Sequence, residues 1–152
     1  MSSPILHGKI AEAYDGTQVQ WKINDFSAIL EDEEIIESPR FTYRNASWYI
    51  RLWLRSTSKC ESMALMLGAT KKHDYKLNYE LGFKRHDNYV ELLDTGTLEE
   101  KNVCTDYCYI ERSEILRRKS ELTPKDELTI TCYLKHGNTL PIDSKPKILK
   151  SK

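Results

Sequence analysis

No stretch of this 152-residue chain approaches the roughly 20 consecutive apolar residues that span a bilayer. Excess charge is missing as well. Lysine plus arginine and aspartate plus glutamate number 23 each, so no long-range field gathers nucleic acid or anionic lipid, and both are set aside as partners. Met1 to Ile10 carries no basic segment followed by an apolar block, and no secretory signal is read there. The four cysteines, Cys60, Cys104, Cys108 and Cys132, contain no Cys-x-x-Cys pair. No histidine pair stands near Cys104 and Cys108 to complete a zinc site, and no metal or other cofactor is expected. Reduced thiols in a cytoplasmic or nuclear protein are the expectation. The Asn45-Ala46-Ser47 sequon is then inert.

Signs of catalysis are equally scarce. His7, His73, His86 and His136 fall in tails or turns, none beside a serine or cysteine in a nucleophile setting. Cys104 with a distant histidine has no local signature around it, and Glu99-Glu100 lies in a polar loop where solvation explains both charges. The six glycines form no phosphate-binding loop. No enzyme is expected. Internal repeats and heptads are absent too.

What the chain does have is alternation. Val19, Trp21 and Ile23 point one way, and Gln18, Gln20 and Lys22 the other, marking a strand with one buried face. Trp48, Ile50, Leu52 and Leu54 alternate with Tyr49, Arg51, Trp53 and Arg55, which places Trp21 and Trp48 in the core and Trp53 partly exposed. Met63, Leu65 and Leu67 face inward with Ala64 and Met66 outward. Tyr75, Leu77, Tyr79, Leu81 and Phe83 alternate with polar residues, as do Leu128, Ile130, Cys132 and Leu134. Shorter strands fit Phe41 to Tyr43, Tyr89 to Leu93 and Tyr107 to Ile110.

Turn signals separate these strands. Ser27 suits the cap of a short turn, followed by a solvated acidic run, Glu31-Asp32-Glu33-Glu34. Ser113 suits a helix cap, with Glu114 in the first turn and Arg117-Arg118 in the last. The expected fold is therefore all-β. It is an antiparallel sandwich of seven to eight strands with one short helix near the C-terminus. Residues 1–17 read as a flexible N-terminal tail, 18–136 as the domain, and 137–152, with two prolines and four lysines, as a tail or linker.

The order of these landmarks is specific. Trp21-Lys22-Ile23-Asn24-Asp25-Phe26 leads to Ser38-Pro39-Arg40-Phe41, and a long strand opens at Trp48. Met63-Ala64-Leu65-Met66-Leu67 follows, then Tyr109-Ile110-Glu111-Arg112-Ser113-Glu114-Ile115-Leu116 and Asp126-Glu127-Leu128-Thr129-Ile130-Thr131-Cys132. Over residues 18–136 this series resembles the MATH (meprin and TRAF homology) domain, most closely that of speckle-type POZ proteins. Those proteins join a degron-binding MATH domain to a BTB domain that docks a cullin ubiquitin ligase.

The resemblance implies a module that binds short linear peptide motifs of substrate proteins in a BTB/cullin ligase context. The chain stops where the BTB half would begin. Transferred residue by residue, the groove would use Met66 and Leu77 as apolar floor and Cys104, Thr105, Asp106 and Tyr107 as rim. Asp106 would favour a cationic or hydroxyl-bearing ligand residue.

One departure stands out. The family's groove wall of Trp-Gly-Phe falls at Cys104-Thr105-Asp106. Loss of an indole anchor costs on the order of 2 kcal/mol, roughly thirtyfold in affinity, so a working groove here reads a different motif. The alternative is a self-associating or scaffolding TRAF-like module, or a copy that has lost its groove. Nothing before Gln18 is long enough to supply a coiled coil.

Overall fold

The computed structural model describes residues 5–6, 8–12, 18–55, 62–73 and 75–136. It is an all-β sandwich of two sheets. The first runs β1 (Ile5–Leu6), β4 (Ile35–Glu37), β6 (Ala46–Trp53), β7 (Ser62–Ala69) and β10 (Cys108–Glu111), with β5 (Phe41–Tyr43) also paired to β6. The second runs β2 (Lys9–Glu12), β3 (Gln18–Ile23), β11 (Leu128–His136), β8 (Leu77–Lys84) and β9 (Val90–Leu98). Every pairing is antiparallel except that of β1 with β4.

The alternating apolar residues meet between the layers. Trp48, Ile50 and Leu52 of β6 and Leu65 and Leu67 of β7 in the first sheet, and Trp21 and Ile23 of β3, Leu77 and Leu81 of β8 and Ile130 and Leu134 of β11 in the second, are all fully buried in one core cluster. Each such aliphatic side chain contributes about 1.5–3 kcal/mol of burial free energy.

Three of the eleven strands go beyond the seven to eight expected. β1, β2 and β4 are two to four residues long, too short to display a period, and two of them fall within the segment expected as a tail. Residues 1–4, 7, 13–17 and the tail or linker expected at 137–152 lie outside the described residues, as does Cys60. Pro39 separates β4 from β5 along one edge of β6, because proline has no N–H to donate. Ser38 bridges the break: its N–H donates to the Ile50 carbonyl at 2.8 Å, and its hydroxyl accepts from the Ile50 N–H at 3.0 Å.

β9 runs on to Leu98, past the expected end at Leu93. A register shift opposite Leu81 and Gly82 marks a bulge there, and Leu93, passed over in the pairing, packs against the core instead.

The helices are held by partners distant in sequence. α1 (Phe26–Asp32) buries Phe26, Ile29 and Leu30. Ser27 is its second residue rather than its cap, and both its N–H (3.0 Å) and its hydroxyl (2.8 Å) donate to the Asp126 carboxylate. At the other end, the Arg55 guanidinium donates to the carbonyls of Leu30, Glu31 and Glu33 at 3.0–3.2 Å. A helix of two turns leaves most of its backbone groups unpaired, so these outside partners replace local caps.

Near the C-terminus the expected single helix is two short ones, α2 (Arg112–Arg117) and α3 (Lys119–Leu122), followed by a 3-10 turn at Pro124–Asp126. Ser113 is not the cap of α2. β10 runs straight into the helix, and Glu111, paired with Ser62 in the sheet, occupies the capping position. Arg118 then ties the helices to β9, donating to Glu91 at 2.7 and 3.0 Å and to Glu121 at 2.7 Å. Those hydrogen bonds raise the Arg118 pKa, and Arg118 in turn lowers that of Glu91.

Two substitutions separate these contributions. Leu65→Ala is expected to cost about 2–5 kcal/mol in urea unfolding through the cavity it leaves. Asp126→Ala, remote from the core, is expected to cost about 1 kcal/mol through the lost helix contacts.

Candidate functional site

β7 is buried along its whole length, on both faces. Its outward residues are small or flexible: Ala64, Met66 and Gly68. In register, Ala64 lies between Trp53 of β6 and Tyr109 of β10, Met66 beside Arg51, and Gly68 beside Tyr49. A Cβ on Gly68 would stand 2.7 Å from the Tyr49 ring, so any side chain here would displace that ring. Larger neighbours project past these small residues and form the outer surface of the first sheet.

That surface is a ladder of rings and guanidinium groups. The Trp53 and Tyr107 rings meet with centroids 4.8 Å apart, and Tyr107 meets Tyr109 edge-on at 6.4 Å. Arg51 lies 5.4 Å from the Trp53 ring and 5.5 Å from that of Tyr49, whose face also takes Arg40 at 4.5 Å. Glu37, itself buried, binds both cations: Arg51 Nε donates to it at 2.6 Å and Arg40 at 3.0 Å. The arginines are thereby positioned by one shared carboxylate, while Tyr107 and Tyr109 stay 50% and 53% exposed.

β10 is the last strand of its sheet, and among the described residues only β7 pairs with it. Its outer edge presents main-chain donors and acceptors beside the two exposed tyrosines. The chain before it is fixed to β7 by the Ala69 N–H donating to the Val103 carbonyl at 2.7 Å and the Thr105 N–H to that of Leu67 at 2.9 Å. The Thr105 hydroxyl accepts from the Leu67 N–H at 3.1 Å and donates to the Asp106 carbonyl at 3.0 Å.

The residues assigned by resemblance therefore separate. Leu77 lies fully buried between the sheets, on β8 of the opposite layer, and shares no floor with Met66. Met66 points outward as expected but is 3% exposed and offers a ligand almost no area. Thr105 is a buried latch within the sheet rather than rim. Cys104, Asp106 and Tyr107 are exposed and do come together along the edge.

Trp53 and Tyr109 complete the surface and were absent from the expected site. The outward alternation of Trp53 with Tyr49 and Arg51 was the signal for the first. The step of two from Tyr107 was the signal for the second.

Two titratable groups near the edge, Tyr79 and Cys108, are held neutral. Burial, then the neighbouring Asp94 carboxylate, pushes the Tyr79 phenol up to about 12, and its hydroxyl donates to Asp94 at 3.4 Å. Burial, again followed by Asp94, raises the Cys108 thiol. Neither group is disposed to ionise near neutral pH. No group of three or more His, Cys, Asp or Glu side chains suited to a metal occurs among the described residues.

A scan against models of known protein families gives no match for this chain, and a search of curated proteins gives none.

If Thr105 is a structural latch, Thr105→Val leaves the Leu67 N–H without its partner. The expected cost is about 1–3 kcal/mol in urea unfolding, whereas Thr105→Ser, which loses only the methyl and keeps the hydroxyl, is expected to retain most of the stability.

Proposed function

We propose that this chain is a peptide-binding interaction module of MATH type, taking an extended segment of a partner protein along the outer edge of β10. The observation that carries the reading is the open edge of that strand beside the exposed Tyr107 and Tyr109, with Trp53 behind them. An added strand gains main-chain hydrogen bonds, and alternate ligand side chains reach the aromatic surface. Tyrosine and tryptophan suit this role, since each gives a large contact area with few rotatable bonds.

The ligand chemistry follows from the neighbours. Apolar or proline residues match the tyrosine faces, and a cationic or hydroxyl-bearing residue matches exposed Asp106. Arg40 and Arg51 share the single carboxylate of Glu37, which fixes their positions on the surface. Within the same reading, the landmark series from Trp21 to Cys132 supports a substrate-recognition role in a BTB/cullin ubiquitin ligase, in a cytoplasmic or nuclear setting.

Selection of binders from a displayed random-peptide library tests the proposal. Tyr109→Ala is expected to weaken selected peptides about tenfold or more, while Tyr89→Ala, exposed on the β8–β9 turn, leaves affinity unchanged. Binders indifferent to Tyr109 and Tyr107 would refute the site. A concentration-dependent dimer, abolished by Tyr109→Ala in a chain that selects no peptide, would favour the scaffolding alternative, since an open edge also pairs with its own copy.

A further inference from the structure

At another place on the sandwich, the turn between β5 and β6 and the connection between β7 and β8 enclose a pocket of about 370 Å³. Arg44, Asn45, Lys71, Lys72, His73 and Tyr75 line it. Three of these carry a full positive charge, and none of the three makes an ion pair among the described residues. Asp74 lies outside those residues. In a chain whose charges otherwise balance, unneutralised cations gathered around one concavity form a local field for an anion.

The walls are fixed. The Tyr75 hydroxyl donates to the Tyr43 carbonyl at 2.8 Å, and the Arg44 guanidinium sits 5.8 Å from the Tyr75 ring centre. Buried His73 stacks on Trp48 at 5.1 Å, with its two ring nitrogens 2.8 Å from the carbonyls of Tyr75 and Asn102. Arg44 and Asn45 both have positive φ, 50° and 67°. Glycine, asparagine and aspartate are the ordinary occupants of such a turn, and Arg44 stands there against its backbone preference.

We propose that this pocket binds a phosphoryl dianion, either as free phosphate or on a phosphorylated serine or threonine. A single carboxylate is satisfied by one guanidinium fork, whereas three cationic side chains lining one pocket match the several oxygens and double charge of a phosphate monoester. The volume exceeds that of the anion alone and leaves room for the side chain that carries it. The proposal does not depend on peptide binding at β10, which lies beside other elements.

Amide NMR titration of the full chain with inorganic phosphate, then with O-phosphoserine and serine, at constant ionic strength set by sodium chloride, tests this. Saturable shifts at Arg44, Asn45 and Lys71 to His73 are expected, with Lys71→Gln/Lys72→Gln raising the Kd about tenfold or more. Both lysines are exposed, so the variant's urea midpoint is expected to match the parent and to confirm that it folds. Tighter binding of O-phosphoserine than of phosphate assigns the site to a phosphorylated side chain, and the reverse to the free anion. Shifts that chloride or serine reproduces, shifts that survive the double substitution, or no saturation would overturn the proposal.

Discussion

Burial of β7 on both faces is the constraint from which the rest of this surface follows. A strand in the middle of a sheet that is already packed against a second layer has only its outward side chains left to expose. Here those are Ala64, Met66 and Gly68, and none of them is exposed. Neighbouring strands cover them with long aromatic and arginine side chains, which is possible only because β7 itself is lean. The covering residues are then held by one another: Glu37 fixes two arginines, the arginines flank Tyr49 and Trp53, and Trp53 supports Tyr107. The outcome is a stiff aromatic surface rather than an open trough.

That arrangement redistributes roles along the edge. Thr105 gives its hydroxyl to the sheet and so fixes where β10 begins, while Tyr107 just before that strand and Tyr109 within it are exposed beside an edge that no other described strand pairs. Recognition by strand addition needs those two things together, main-chain groups and adjacent side-chain contact area. Ionisable groups close by, Tyr79 and Cys108, are held neutral by burial and by Asp94.

Much of the fold was legible because alternation is a direct imprint of a two-faced strand. β3, β6, β8 and β11 each carry it, and Trp21, Trp48 and Trp53 lie where it puts them. The same periodicity placed Leu77 with Leu81 and Phe83 on the core face, and it was a better guide to that residue than resemblance. Local patterns failed where the deciding partner is remote. Asp126 and Arg55 terminate α1 from 99 and 22–25 residues away, and no local cap signal encodes either. The short strands β1, β2 and β4 show no period. The burial of Met66 depends on side chains from other strands, which one-dimensional alternation cannot register.

The central claim is that an extended ligand becomes an additional strand beside β10. Hydrogen exchange of backbone amides, with and without a selected peptide at saturation, tests it most directly. The account predicts that peptide slows exchange at solvent-facing amides between Tyr107 and Glu111, in an alternating pattern, and leaves β9 and the 71–75 connection unchanged. Protection confined to those other segments, or unaltered exchange along β10 in a saturated complex, would contradict it.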